Sequence, residues 1–264
     1  MKTVLSIAGS DCSGGAGIQA DLKTMSVYGV YGMSAITALT AQNTIGVQAI
    51  HECPPAFLEK QLDCIFTDIF PDAIKIGMIS SKELMEVIAQ KLIQYQAKHI
   101  VLDPVIVSTS GSKLLSDTAA DSILTLLAPL SDLITPNILE AERLSGISIH
   151  SKETMEKAAQ DISQRCHAAV LIKGGHSEKN ADDLLYTEGE VKWFRSEKLR
   201  NQNTHGTGCT LSSAIACGLA KGNSIKESVK NAKEYVTGAI HSNLNLGKGN
   251  GPLNHFFQLD RRII

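Results

Sequence analysis

Residues 205–210, HGTGCT, combine the residue types with the clearest chemistry in this chain. Gly206 and Gly208 free the backbone to turn its N–H groups toward one point, and Thr207 lies between them. A helix of small residues is predicted to follow, and the start of a helix carries partial positive charge. Because both effects attract anions, the segment predicts a phosphate-binding turn.

Cys209 lies inside this turn and has two interpretations. At the predicted helix N-terminus the pKa of a thiol falls, which makes the thiolate accessible as a proton acceptor. The alternative is a small buried apolar side chain, as most free cysteines are. The flanking glycines favour a functional role. The other five cysteines lack such a setting, and we interpret them as packing residues.

The sequence GSDCSGGAG at residues 9–17 is predicted to be a loop that follows a short buried strand over residues 2–8. Residues 15–20 match the looser GxGxxA fingerprint of dinucleotide-binding proteins, which makes an oxidoreductase of that class an alternative. Against it, the predicted strand ends too far upstream for the tight turn of that fingerprint, and no acidic residue occurs between Asp21 and Glu52 to bind a ribose. A Walker A protein is excluded because the chain has no Gly-Lys-Ser/Thr.

Charged and amide side chains follow three more predicted strands. Asp103 follows one strand, and Asn137 and Glu140, one helical turn apart, follow the next. These two could hold a hydrated Mg²⁺ that bridges phosphates. Alternatively, Asn137 is a helix N-cap and Glu140 complements the helix dipole. Lys173, before Gly174, is either a cation for phosphates or a solvated residue before a turn.

The order of predicted elements gives the fold class. Buried strands are predicted at 2–8, 33–41, 99–102, 133–135 and 168–172, helices at 18–28, 84–95, 123–127, 137–144, 211–219 and 229–240, and a hairpin at 184–194. Strands that alternate with helices predict an α/β protein with a mainly parallel sheet and helices on both faces. In such sheets ligands bind beyond the carboxyl ends of the strands. We see no linker or repeat, and we expect one domain over residues 1–264.

Composition narrows the classes of function. The 264 residues carry a formal net charge of −2 and no run of Lys or Arg, which makes nucleic acid an unexpected partner. No apolar run reaches the roughly 18 residues that cross a bilayer, so we expect a cytoplasmic protein without a membrane contact. The six cysteines form no CxxC pair and no zinc-type cluster, so neither a structural metal nor a disulfide framework is expected.

Seven motifs in order resemble the ribokinase-like superfamily, and within it the hydroxymethylpyrimidine and phosphomethylpyrimidine kinases of thiamine synthesis. They are SGGAGIQADLKT, TALTAQNT, KIGM, LDPV, TPNILEAERL, LIKGGH and NTHGTGCTLSSAI. The resemblance runs from about Leu5 to the closing GPLNHFF. It implies a three-layer α/β/α fold with a mostly parallel central sheet, the use of ATP and Mg²⁺, a small-molecule substrate and a homodimer.

The resemblance also assigns roles to residues. Many relatives carry an Asp as catalytic base where this chain has Cys209, and Gln42 in AQNT resembles the residue that reads the aminopyrimidine. By the same resemblance, the transferred phosphoryl group is held by the backbone of Gly206, Thr207 and Gly208, and the substrate pocket is lined by Ala16, Asp21, Met78 and Val105. ATP is contacted by Asn137, Lys173, Gly174 and His205, and the metal is held by Glu140 and Asp103.

Three functions remain after this comparison. The first is phosphorylation of hydroxymethylpyrimidine and then of its monophosphate to the pyrophosphate. The second is a pyridoxal or pyridoxine kinase of the same subfamily, whose substrate is a similar heteroaromatic alcohol; Gln42 favours the pyrimidine. The third is a ligand sensor without catalysis, which the intact HGTGC, Asn137, Glu140 and Lys173 disfavour.

Overall fold

The fold is given by a computed structural model that describes residues 1–106, 121–175, 181–196, 201 and 203–258. Its strands are β1 (Thr3–Asp11), β2 (Tyr31–Gln42), β3 (Val47–Glu52), β4 (Ala73–Ile76), β5 (Ile100–Leu102), β6 (Leu133–Ile134), β7 (Ala169–Ile172), β8 (Asp183–Thr187) and β9 (Glu190–Phe194). They form one sheet in the order β3-β2-β1-β4-β5-β6-β7-β8-β9. The strands from β2 through β7 in this order pair in parallel, whereas β3, β8 and β9 pair antiparallel at the two edges.

Helices cover both faces of the sheet. They are α1 (Gly17–Val27), α2 (Pro55–Phe66), α3 (Lys82–Gln94), α4 (Ile138–Ser145), α5 (Lys152–Cys166), α6 (Thr207–Ala220) and α7 (Ile225–His241), with a π-helical turn at Ile123–Leu127 and a 3-10 turn at Ala128–Leu130. Apolar side chains of α2, α3, α4 and α5 pack on one face, and those of α1, α6 and α7 pack on the other. The predicted three-layer architecture is therefore confirmed.

Three elements of the structure were not predicted from the sequence: β3, β4 and α2. Strand β3 is largely exposed and lacks an apolar alternation, and β4 is only four residues long. Lys75 interrupts the apolar run of β4 although its side chain is completely buried. Helix α2 starts with Pro55 at its first position, where the missing N–H of proline costs nothing, and that proline is the local signal for this helix.

Two predicted boundaries are wrong. Strand β1 continues through residues 9–11, because the long strand β2 offers pairing partners for Ser10 and Asp11 after an irregularity at Gly9. The loop therefore begins after Asp11. Helix α6 begins at Thr207, four residues earlier than predicted, so that part of the HGTGCT segment forms its first turn. Among the described residues, no helix is long and apolar enough to cross a membrane.

The buried centre of the sheet should dominate stability. We expect Ile74→Ala, in β4, to lower the free energy of unfolding by about 2–5 kcal/mol, since the change removes three carbons from a fully buried side chain and leaves a cavity. Urea denaturation followed by circular dichroism measures the loss. Ile93→Ala in α3 is the control: its side chain is 63% exposed, and the expected change is within about 0.5 kcal/mol. Equal losses in both variants would contradict this assignment of the core.

Candidate active site

The HGTGCT segment forms a tight turn into α6. Gly206 has a φ of 84°, a left-handed conformation that favours glycine, and a Cβ there would collide with the carbonyl oxygen of Gly15. The N–H of Thr207 donates to the carbonyl of Thr204 at 3.2 Å, so it is used inside the turn. The predicted phosphate contact of the Thr207 N–H is therefore not available in this structure. The next N–H groups of the first helical turn, which have no acceptor within the helix, belong to Gly208 and Cys209.

An ion pair between the partly buried Lys173 and the buried Asp103 lies next to this turn. The Lys173 ammonium is 2.7 Å from a carboxylate oxygen of Asp103, and the Thr135 hydroxyl donates to the same oxygen at 3.2 Å. A Cβ on Gly208 would lie 3.3 Å from the Asp103 carboxylate and 3.4 Å from the Lys173 nitrogen. Burial lowers the pKa of Lys173, but the carboxylates of Asp103 and Glu140 outweigh it and raise the pKa above its usual value. The ends of β5 and β7 thus meet the start of α6.

Asn137 and Glu140 form a capping box at the start of α4. The N–H of Glu140 donates to Asn137 Oδ1 at 2.9 Å, and the N–H of Asn137 donates to the Glu140 carboxylate at 2.8 Å. The N–H of Ile106 also donates to this carboxylate, at 3.4 Å. Burial raises the pKa of Glu140 to about 7. The alternative that the sequence left open, an N-cap with a dipole-complementing acid, is therefore present.

The carboxylates of this region fit a hydrated Mg²⁺ shared with phosphates. Glu140 and Asp103 raise the pKa of the same lysine, Lys173, and Asp103 also influences the pKa of Glu140, so the two acids occupy one electrostatic site. Among the described residues, no group of three or more His, Cys, Asp or Glu could hold a metal ion by itself. Mg²⁺ commonly uses one or two carboxylates and completes its shell with water and phosphate oxygens.

Cys209 is placed as the sequence predicted but does not have the predicted acidity. The N–H of Gly17, at the start of α1, lowers the pKa of its thiol, so Cys209 lies near the starts of two helices. Burial nevertheless raises the pKa of the thiol to about 11, against a lowering effect of Lys75. The prediction of a lowered pKa is wrong, because the cost of burying a thiolate exceeds the stabilisation from the helix ends.

His205 and Gln42 come together on the other side of the turn. The Nε2 of His205 lies 2.8 Å from a carboxylate oxygen of Asp11 and 3.4 Å from the Gln42 side-chain nitrogen. The resemblance assigns His205 to the nucleotide and Gln42 to the substrate. The contacts of His205 group it with Gln42, and not with Lys173 and Asn137.

Asp11 is a site residue that sequence reasoning missed. Its carboxylate accepts the N–H groups of Ser13, Gly15 and Ala16 and thereby folds the glycine-rich loop against His205. Burial alone would raise its pKa, but the hydrogen bonds with His205, Ser13 and Ala16 lower the pKa to about 2. An Asp that directly precedes a run of small residues is a typical start of a turn, and that signal could have identified it.

The other predicted site residues surround this centre. Ala16 is the residue before α1, Met78 is buried with its sulfur against Gly9, and Val105 is half-buried after β5. The N–H of Gly174 donates to the Asp183 carboxylate at 2.8 Å, so it serves the structure of the loop. This N–H is not free to bind a nucleotide.

Asp21, predicted to line the substrate pocket, is completely buried. Its carboxylate lies 2.8 Å from the Lys75 ammonium and accepts hydroxyl hydrogen bonds from Ser6 at 2.5 Å and Ser213 at 2.6 Å. A direct contact between this side chain and a substrate is therefore not present here, because its oxygens are enclosed by α6 and the sheet. Lys75 was missed, although a lysine inside an apolar strand is unusual enough to have been a signal.

A C-terminal segment joins the two sides of the site. The Thr44 hydroxyl accepts the N–H groups of Lys248 and Gly249, both at 3.1 Å. A few residues further, the carbonyl of Gly251 accepts the N–H of His205 at 3.0 Å. This segment therefore ties the end of β2, which carries Gln42, to the turn that starts α6.

The site lies at the carboxyl edge of a mainly parallel sheet. It combines N–H groups at the start of α6 that have no acceptor within the helix with the adjacent Asp103–Lys173 pair. This combination defines a phosphotransferase of the α/β class. The sequence model of the phosphomethylpyrimidine kinase family matches residues 11–254. The chain belongs to the phosphomethylpyrimidine kinase family, which confirms the resemblance read from the motifs.

Individual relatives support this assignment. A hydroxymethylpyrimidine/phosphomethylpyrimidine kinase of Streptomyces coelicolor is 47% identical over 97% of this chain and 95% of its own length. A thiamine biosynthesis bifunctional protein of Geobacter sulfurreducens is also 47% identical over 96% of this chain, but the chain spans only 52% of that protein. Among solved structures, an ADP complex of Bacillus subtilis pyridoxal kinase superimposes with a TM-score of 0.91 at 37% identity, over 98% of this chain and 99% of that one.

The contact between Gly206 and Gly15 can be tested with alanine. We expect Gly206→Ala to reduce kinase turnover by about 100-fold, because the new Cβ pushes the phosphate turn away from the glycine-rich loop. Gly222→Ala is the matched control. Gly222 has a φ of 87° and no atom within 4 Å of its Cβ position, so that variant has the same backbone strain without the collision. Equal loss of activity in the two variants would show that strain alone matters.

Proposed function

We propose that this chain is an ATP-dependent kinase that phosphorylates 4-amino-5-hydroxymethyl-2-methylpyrimidine and then its monophosphate to the pyrophosphate, for thiamine biosynthesis. The observation that carries the proposal is the meeting of Cys209, Gly208 and the Asp103–Lys173 pair at the start of α6. A helix start beside a lysine suits a transferred phosphoryl group, and a sulfur next to it suits an acceptor hydroxyl. The names of the relatives support the pyrimidine as substrate.

ATP is the proposed phosphoryl donor. The Lys173 ammonium would contact its phosphates, and Asn137, at the end of the neighbouring strand, would face them. Mg²⁺ held by Asp103 and Glu140 would neutralise charge on the phosphate oxygens. The similar pyridoxal kinase of Bacillus subtilis was solved as an ADP complex, which supports the choice of an adenine nucleotide.

The reaction is an in-line displacement. The hydroxymethyl oxygen of the substrate attacks the γ-phosphorus, the new O–P bond forms as the bond to the bridging oxygen of ADP breaks, and the hydroxyl proton passes to the sulfur of Cys209. The N–H groups of Gly208 and Cys209 stabilise the transferred group by donating hydrogen bonds to its oxygens. Gln42 orients the pyrimidine, and His205 in turn contacts Gln42.

The role of Cys209 predicts a defined pH dependence. The thiolate is the proton acceptor, and a thiol pKa of about 11 means that its fraction grows as the pH rises. We therefore expect kcat/KM to increase by about tenfold per pH unit from about pH 7.5 to 9.5. Cys209→Ala should lower kcat by about 100-fold or more and abolish this slope.

Cys217→Ala controls for a packing effect on α6. Cys217 lies on the same helix, and its buried side chain packs in the core. It should retain both the rate and the slope. A flat profile in the unsubstituted protein would instead indicate that the neutral thiol only orients the hydroxyl, and normal turnover in Cys209→Ala would remove Cys209 from the chemistry.

The role of Gln42 can be tested on substrate recognition. Gln42→Ala should raise KM for the pyrimidine at least about tenfold with little change in KM for ATP, because of the two substrates only the pyrimidine is proposed to contact this amide. A coupled ATP-consumption assay measures both constants. Gln61→Ala is the control, since this glutamine hydrogen-bonds the backbone of β2 at Ile36, whereas the Gln42 side chain contacts Thr40 and His205. An unchanged KM for the pyrimidine would exclude Gln42 from the pocket.

Pyridoxal phosphorylation is the second candidate, and the structural similarity to pyridoxal kinases favours it. The same coupled assay separates the functions when hydroxymethylpyrimidine, its phosphate and pyridoxal are supplied in turn. Turnover with the first two supports the main proposal, turnover with pyridoxal alone overturns it, and binding without ATP consumption indicates a sensor.

We also propose a cytoplasmic protein, and a homodimer with one domain per chain as the family resemblance implies. Tyr31, Leu39 and Ile50 on β2 and β3 are 41–51% exposed, and such apolar side chains at a sheet edge suit a contact with a second copy. Light scattering after gel filtration measures the mass in solution and decides between monomer and dimer.

A further inference from the structure

Lys75 is the most unusual side chain outside the reaction described above. It lies in the middle of the sheet on β4, and neither it nor its partner Asp21 has any solvent-exposed side-chain surface. Removing two charges from water costs about as much free energy as their attraction returns, so a buried ion pair is weak evidence for a purely stabilising role. The neighbours of the pair indicate a functional role.

The neighbours connect the pair to Cys209. Helices α1 and α6 face each other at two levels. At the first level the N–H of Gly17 lowers the pKa of the Cys209 thiol, and at the second the hydroxyl of Ser213 donates to the carboxylate of Asp21 at 2.6 Å. On each helix the two contact residues are four positions apart, which is about one helical turn. The Lys75–Asp21 pair therefore lies one turn, about 5–6 Å along the axes, from the sulfur.

Gly77 leaves space for the buried ammonium of Lys75. A Cβ on Gly77 would lie 2.5 Å from the Lys75 nitrogen, so the glycine of the KIGM motif makes room for this charge. Ser6 and Ser213 donate to Asp21 and hold its carboxylate against the ammonium. The site is thus built around a charged lysine.

Four charged groups influence the sulfur of Cys209, each from a different element. Lys75 on β4 and Lys173 after β7 are the cations, and Asp21 on α1 and Asp103 after β5 are the anions. Lys75 is the largest influence that lowers the pKa of the thiol, whereas Asp21 and Asp103 raise it. Lys173 is already paired with Asp103.

We propose that Lys75 is a positioning residue for phosphoryl transfer: through Asp21 and Ser213 it fixes the start of α6, and its positive charge stabilises the Cys209 thiolate during proton transfer. The inference rests on the proposed function, in which Cys209 accepts the hydroxyl proton. Lys75 itself touches neither substrate nor phosphate.

The test measures the acidity of Cys209 directly, without substrates. Iodoacetamide alkylates thiolates, and mass spectrometry of the Cys209 peptide gives its alkylation rate from about pH 7 to 10. Lys75→Met removes the charge and should slow this rate at a given pH by about tenfold for each unit by which the thiol pKa rises. Cys12, an exposed cysteine of the same chain, is the internal control, and its rate should not change.

Asp21→Asn gives the opposite expectation. It keeps an amide that can accept from Lys75 and the serines, but it removes the negative charge that neutralises the ammonium, so Cys209 should react faster. The expected order of rates is Asp21→Asn, then the unsubstituted protein, then Lys75→Met. A merely structural pair would shift both variants in the same direction or neither of them, and either result overturns the proposal.

The folding and the turnover of the variants are measured as well. If circular dichroism shows that Lys75→Met does not fold, Asp21→Asn alone decides: a faster Cys209 reaction supports the proposal, and an equal or slower one overturns it. In folded Lys75→Met we expect kcat to fall at least about tenfold with KM for ATP unchanged. Because alkylation needs no substrate, the order of rates can hold even if the pyrimidine is not phosphorylated, and then only the proposed function fails.

Discussion

The contact between the starts of α1 and α6 is the constraint on which the site depends. Gly206 lies against the carbonyl of Gly15, and the N–H of Gly17 at the start of α1 lowers the pKa of Cys209 at the start of α6. A side chain at position 206 would separate the two helices. Their close approach directs two helix dipoles at one point, which suits both the anion and the sulfur of the proposed reaction.

The same approach explains why the sulfur is a weak acid in this structure. Packing two helices around Cys209 removes water from it, and the cost of that desolvation exceeds what the helix ends and Lys75 return. In the proposed reaction, Cys209 would therefore act through its position beside the hydroxyl and phosphoryl groups, and not as a permanently ionised thiol. The buried charge of Lys75 belongs to the same balance, since it acts across low-dielectric protein where its influence is strong.

Much of the fold and part of the site could be predicted from local patterns. The buried strands β5, β6 and β7 are short apolar runs with clear ends, and the capping box at Asn137 is a local signal that α4 confirms. Strand β3 could not be predicted, because an exposed antiparallel edge has no strong apolar pattern. The extension of β1 to Asp11 depends on pairing with β2, which is a contact distant in sequence.

By itself, the sequence determined the α/β class, the family, the strand-end positions of Asp103 and Lys173, and the position of Cys209 near the start of a helix, because these depend on residue order and local motifs. Only the tertiary structure decided how those residues are paired and charged. In the structure, Asp21 is buried in an ion pair with Lys75, and His205 contacts Gln42. The physical reason is that burial and charge pairing depend on distances between loops that are far apart along the chain, and no local pattern encodes them.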